Sequence, residues 1–133
     1  MMFTTKTEYG LRAMVMLAKN KDSQPLSLTQ IAKATHISQA YLEQLFAKLK
    51  SNNLVKSSKG STGGYVLYRP AKKINIFEIV EALDGPMAVF YCVSKESNKI
   101  ACSVKGCLTK KVWEELQKNI IKTLRKFSLA DLV

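Results

Sequence analysis

The sequence predicts a mainly α-helical chain with one small β-hairpin: a winged helix-turn-helix head followed by a long C-terminal helix. Three observations predict it. Two capped short helices, separated by a tight turn, lie in succession between Ser27 and Ser51. A hairpin with a basic, glycine-rich tip follows at once, at 54–68. A single amphipathic seam then runs through 108–127, beyond a head whose compact part is complete by Leu83.

Each element has its own local reason. The first helix spans about Lys6 to Lys19, with Leu11, Met14, Val15 and Ala18 at helical spacing. Thr5 and Glu8 fit a capping box at its start. KDSQP is a loop. Ser27 and Gln30 form a second capping-box pattern before a short helix through Ile31 and Ala34. THIS is the turn, and Ser38 caps the third helix, Gln39 to Ser51. Its Leu42, Leu45, Phe46 and Leu49 make one buried stripe, and Gln39, Tyr41, Glu43, Gln44 and Lys48 occupy the other face. Asn52 and Asn53 end it. Leu54-Val55 opens one strand, SSKGSTGG is the tip, and YVLY returns. Asn75 and Glu78 cap a fourth helix to about Leu83, and Gly85-Pro86 stops it.

The last helix, about Leu108 to Phe127, carries Trp113, Leu116, Ile120, Leu124 and Phe127 on one seam. Such a seam either folds back on its own core or pairs with a second subunit. Pairing is expected, because the head shows no obvious complementary groove. The chain then divides into a DNA-reading head (1–84), a cysteine-bearing loop (85–107) and a dimerisation helix with the C-terminal segment (108–133), and the molecule is a homodimer.

Composition narrows the function. With 133 residues, 47% hydrophobic and 23% charged, the chain reads as globular. No run of about 18 apolar residues occurs, so no membrane span is expected. Lys6, Glu8 and Arg12 interrupt any signal-peptide core, so a cytoplasmic location is expected. The net charge is +11. Lys48, Lys50, Lys56, Lys59, Arg69, Lys72 and Lys73 fall in one stretch without an acidic residue. That stretch is either a footprint for phosphate or a solvated lysine-rich surface. No nucleophile–base pair, phosphate-binding glycine loop or carboxylate pair suggests an enzyme.

A helix with Ser38, Gln39, Tyr41 and Gln44 at its N-terminal end suits the major groove of double-stranded DNA. Lys48 continues the same face, and Lys59 at the wing tip suits phosphate or a narrow minor groove. Each has a plainer reading: Ser38 as a cap alone, Tyr41 as a half-buried aromatic, Gln44 as solvated. Glu43 is surface, or it accepts from a cytosine amino group, or it repels wrong bases.

Cys92, Cys102 and Cys107 are all the cysteines, spaced C-x9-C-x4-C. An odd count cannot pair fully within one chain. No C-x2–4-C knuckle points to structural zinc, and no C-x-x-C points to a thiol oxidoreductase. Three soft thiolates on a wrapping loop suit an iron–sulfur cluster.

TKTEYGLRAMVMLA, LTQIAKATHISQAYLEQLFAKLKSNNLVKSSKGSTGGYVL, INIFEIVEALDG and CLTKKVWEEL resemble the IscR/NsrR family of bacterial winged-helix regulators, over nearly the whole chain. The resemblance implies a homodimer on a pseudo-palindromic operator. It implies base or phosphate contacts from Ser38, Tyr41 and Gln44, with Glu43 tuning sequence choice. Lys59 stands where family members place an arginine, keeping the charge without the planar fork. It also implies a 2Fe–2S cluster on Cys92, Cys102 and Cys107. Where assembly regulators of the family supply a histidine as fourth ligand, this chain has Lys110, whose ammonium cannot ligate. His36, the single histidine, lies in the helix-turn-helix. Glu96, Glu114, Glu115 and Glu8 remain, and the family's nitric-oxide sensors use an acidic residue at the place of Glu8, reaching across the dimer. The expected function is a repressor under 2Fe–2S control, in iron–sulfur assembly. The alternatives are a nitric-oxide or redox sensor of the same family and a non-specific architectural DNA-binding protein.

Overall fold

The structure, a computed structural model, describes residues 3–20, 24–60, 63–93 and 106–133. Among them are five α-helices and one two-stranded antiparallel sheet. The order is α1 (Thr5–Lys19), α2 (Leu28–Thr35), α3 (Gln39–Ser51), β1 (Val55–Ser58), β2 (Gly64–Leu67), α4 (Ile76–Asp84) and α5 (Lys110–Lys126). The winged helix-turn-helix class and the third helix's bounds are as expected.

The start of α1 differs. Its cap is Thr4, whose hydroxyl accepts from the Lys6 N–H at 3.2 Å, so no capping box joins Thr5 to Glu8. The helix begins one residue earlier than that pattern required, which puts Thr7, not Glu8, at the third position. Thr4 and Thr7 both donate their hydroxyls to Asp84 at the end of α4, and the Thr4 N–H adds a bond of 3.1 Å. Further along, Gly10 faces Leu83, and a Cβ there would overlap the leucine's Cδ1. The missing side chain is what lets α1 and α4 pack closely.

The caps of α2 and α4 form as expected, each a reciprocal box: Ser27 with Gln30, Asn75 with Glu78. His36 ends α2 in the left-handed region at φ 60°. Leu42, Leu45, Phe46 and Leu49 are at most 1% exposed and anchor α3 in the core with Met14, Ile31 and Ile79. In the wing, Val55 pairs with Leu67 and Ser58 with Gly64. Leu26 adds a third pairing, exchanging backbone bonds with Tyr65 at 3.0 and 2.8 Å. Gly64 makes room for it, since a Cβ there would strike the Leu26 carbonyl.

α5 starts at Lys110, later than Leu108, and resolves the seam in two ways. Ile120, Ile121 and Leu124 return to the head and pack on its core. Arg125 lies over the Phe77 ring of α4, 4.5 Å from its centroid. The front of the helix and the residue just ahead of its cap stand clear: Leu108, Val112 and Leu116 are 91%, 60% and 42% exposed. After α5 the chain bridges Ser128 to Asn75 and buries Leu129 completely. That last insertion has no counterpart in the expected layout.

Two expected outcomes follow from the α1–α4 contact. Gly10→Ala gains helix propensity but must displace a fully packed leucine, so it should lower stability by about 1–2 kcal/mol. Adding Leu83→Ala should recover part of that loss in thermal unfolding; no recovery would mean the clash is elsewhere. Burial pushes the Asp84 carboxyl up, but the Thr4 and Thr7 hydroxyls, the Thr4 N–H and Lys6 outweigh it and hold the group below its ordinary 3.8. A lowered carboxylate stabilises the fold above 3.8, and this contribution fades as pH falls through the folded-state value. Asp84→Asn should therefore flatten the acid limb of the stability–pH curve, and an unchanged limb would count against the assignment.

Candidate functional site

The head presents one polar face. Burying Leu42, Leu45, Phe46 and Leu49 turns Gln39, Ala40, Glu43, Gln44 and Ala47 outward, and all five are exposed. The structure separates the expected contact residues by what else they do. Ser38 accepts from the Tyr41 N–H at 3.2 Å, so its hydroxyl serves as the cap. Tyr41 is half-buried, edge-on to Tyr9 at 5.8 Å. Lys48 donates its ammonium to the Leu83 carbonyl at 3.2 Å, tying α3 to the end of α4. Gln39 accepts at Oε1 from the Thr29 hydroxyl at 3.0 Å. Glu43, Gln44 and Lys59 are left outward and unengaged among the described residues.

The basic stretch is thinned in the same way. Arg69 grips Glu78 through both terminal nitrogens, at 2.8 and 3.3 Å, and donates to the Lys73 carbonyl at 2.6 Å. The Arg69 bond holds the Glu78 carboxyl below its ordinary range against the upward push of burial, with the Asn75 N–H assisting. Glu78 lies just outside the acid-free stretch, so composition alone did not reveal this neutralisation. Lys50, Lys56, Lys59, Lys72 and Lys73 remain exposed. The wing tip turns through Gly60 at φ 113°, closed by a Gly63 N–H to Gly60 carbonyl bond of 2.9 Å. Lys59 is carried beside that turn.

The thiol side rests on α5. Cys92 lies in a short 3-10 turn, Tyr91–Val93. Gln117 clips both flanks of that turn: its Oε1 accepts from the Val89 N–H and its Nε2 donates to the Val93 carbonyl, each at 3.1 Å. Phe90 stacks on Trp113 at 5.4 Å, planes 19° apart. Cys92 thus sits in an open cleft with Lys110, Glu114, Gln117, Lys118 and Ile121. Lys110 pairs with Glu114 at 3.6 Å. Cys107 is half-buried, its Sγ 3.1 Å from the Thr109 Oγ1, just ahead of α5. Cys102 and Glu96 lie outside the described residues.

Glu8 lies elsewhere. Its carboxylate accepts from Arg12 Nε at 2.9 Å and lines a groove with Leu11, Val15, Met16 and Leu132. Among the described residues no three His, Cys, Asp or Glu side chains converge as a metal would require. None of the described helices is long and apolar enough to cross a membrane. Sequence reasoning missed Thr29 and Gln117. Thr29 looks like an ordinary first-turn residue, and the partners of Gln117 are backbone groups, which carry no sequence signature.

The family model Rrf2, described as an iron-dependent transcriptional regulator, matches residues 3–133. The HTH-type transcriptional regulator IscR of Xenorhabdus nematophila is 36% identical over all of this chain and 79% of its own length. Among solved structures, IscR of T. potens superposes with a TM-score of 0.80 at 35% identity, covering 99% of this chain and 85% of that one. CymR, the global cysteine regulator of B. subtilis, superposes with a TM-score of 0.82 at 31% identity, covering 99% and 95%.

The different engagements of the head's side chains have separable consequences. Lys59→Ala should make the log-affinity versus log-salt slope on duplex DNA shallower by about one unit. Gln44→Ala should cost about 1–3 kcal/mol on the preferred site and relax base choice there. Lys48→Ala should instead lower thermal stability by about 1 kcal/mol with little change of slope, because its ammonium already serves α4. Equal salt slopes for all three variants would contradict this division.

Proposed function

Since the chain belongs to the Rrf2 family of transcriptional regulators, we propose that it is a homodimeric repressor governed by a 2Fe–2S cluster on Cys92, Cys102 and Cys107. Its relatives are named as transcriptional regulators, so it is a DNA-binding regulator and not an enzyme. In the proposed complex each α3 enters a major groove of a pseudo-palindromic operator, with Lys59 of the wing on the flanking backbone. The setting is the cytoplasm, and the exposed front of α5, with Leu108, Val112 and Leu116, supplies the dimer contact.

The observation that carries the thiol reading is the seating of Cys92. Gln117 and the Phe90–Trp113 stack fix its turn on α5, and α5 is fixed on α4 through Ile121, Leu124 and Arg125. From α4 the Leu83 carbonyl holds Lys48 of α3. These packed elements give a change in how Cys92 is held a continuous physical route to α3. The donor set fits the group: thiols are soft, and Lys118 in the cleft offsets part of the negative charge of a thiolate-bound cluster, Lys110 being paired with Glu114. When bound, the group supplies a redox-active, oxidant-labile centre. The family's description as iron-dependent and the likeness to IscR proteins support it.

The fourth ligand in this reading is Glu8 of the partner subunit. With Thr4 as the cap, the carboxylate has no capping duty, and Arg12 is its one partner among the described residues. Lys110, standing where assembly regulators of the family place a histidine, is engaged by Glu114. An oxygen ligand makes the site more labile than an imidazole would. That feature favours the second reading, a nitric-oxide or redox sensor, over assembly control.

The test is made on protein purified without oxygen. The parent should be coloured and carry iron with acid-labile sulfide. Cys92→Ala, Cys102→Ala or Cys107→Ala should each lose both while the head keeps its unfolding temperature. A colourless, iron-free parent holding one zinc would overturn the cluster. Glu8→Ala should change the visible and resonance Raman spectra and shorten the cluster's life in air, with Glu8→Asp nearer the parent. If Glu8→Ala keeps the parental spectrum and lifetime, the fourth ligand is another group.

A further inference from the structure

Thr29 and Gln39 meet at the point where the two helices of the reading head begin. Thr29 is the second residue of α2 and Gln39 the first of α3. The start of α2 is already capped by Ser27 and Gln30, so the Thr29 hydroxyl has no capping duty. It donates to Oε1 of Gln39 at 3.0 Å, and both residues are exposed.

A glutamine carboxamide offers an acceptor on one side and two donors on the other. Free in water, it turns over and presents either. The Thr29 hydroxyl, which can donate to the oxygen or accept from the nitrogen, anchors the carboxamide against α2 in either case. In the structure the carboxamide oxygen is the end toward α2, and the bond settles side-chain freedom before any partner arrives. In the major groove every purine offers N7 as an acceptor, with O6 of guanine and O4 of thymine as further acceptors and the amino groups of adenine and cytosine as donors, so the place where the amide is held decides which edge it meets. Glu43, one turn further on the same exposed face, is an acceptor.

We propose that Thr29 is a positioning residue for sequence choice: by anchoring the Gln39 carboxamide against α2 it fixes where Gln39 meets the edge of one base pair in each half-site. The proposal rests on the reading of α3 as the base-reading helix and deepens it.

The experiment measures base preference at every position of the operator for the full chain, by binding to a randomised duplex pool at fixed salt. The variants are Thr29→Val, Thr29→Ser, Gln39→Ala and the pair Thr29→Val with Gln39→Ala. Thr29→Val keeps shape and loses only the hydroxyl. It should reduce preference at one base pair per half-site by about five-fold, the worth of one net hydrogen bond. Unfolding temperature and affinity for random duplex should stay parental. Thr29→Ser should restore the preference. In the Gln39→Ala background Thr29→Val should do nothing more, because its effect runs through Gln39. A parental preference profile for Thr29→Val would overturn the proposal. So would an equal effect of Thr29→Val with and without Gln39, which would make Thr29 a direct contact. A parent that prefers no sequence over random duplex would bring down the reading of α3 itself, and this inference with it.

Discussion

The last turn of α4 joins three helices through interactions at two adjacent residues. Leu83 fills the space left by Gly10 of α1, and its carbonyl takes the ammonium of Lys48 from α3. Asp84 takes the hydroxyls of Thr4 and Thr7 at the front of α1. The Lys48 ammonium meets a helix C-terminus, where an unpaired carbonyl and the helix dipole favour a cation, while the two hydroxyls go to the Asp84 carboxylate. α3 is thus tied to the end of α4, and the chain leaves this junction through Gly85 and Pro86 toward the segment that carries Cys92. Reader and thiol segment are built on one short stretch of backbone.

Where local chemistry decides, the sequence was readable. The boxes at Ser27–Gln30 and Asn75–Glu78 and the stripe through Leu42, Leu45, Phe46 and Leu49 set α2, α4 and α3 without help from distant residues. The start of α1 was misread because two threonines stand side by side there. The choice between them is made by Asp84, 80 residues from Thr4. No local rule contains that partner.

The site divides along the same line. Gln39, Glu43, Gln44 and Lys59 face outward as their spacing on the helix and wing required. Tyr41 and Lys48 share the face by spacing, yet packing against Tyr9 and the Leu83 carbonyl gives them other work. The cysteine spacing raised the expectation of one shared site, but Gln117 was invisible among the polar residues of an amphipathic helix. Its amide matches an N–H and a C=O that flank Cys92 four residues apart, a match set by backbone path and not by residue type.

The burial of Leu129 bears on the order in which the molecule can be made. A chain is synthesised from its N-terminus, and the head's core includes this residue, which follows the cysteine segment and all of α5. A nascent chain that has emerged only as far as α4 carries a whole reading helix on a core with a gap, and the Asn75–Ser128 bridge is not yet there to close it. Products cut or stalled before that point are left with exposed apolar surface, the kind of species that chaperones and proteases take up. The core beneath the helix-turn-helix is therefore completed only after the cysteine segment and α5 have both been synthesised.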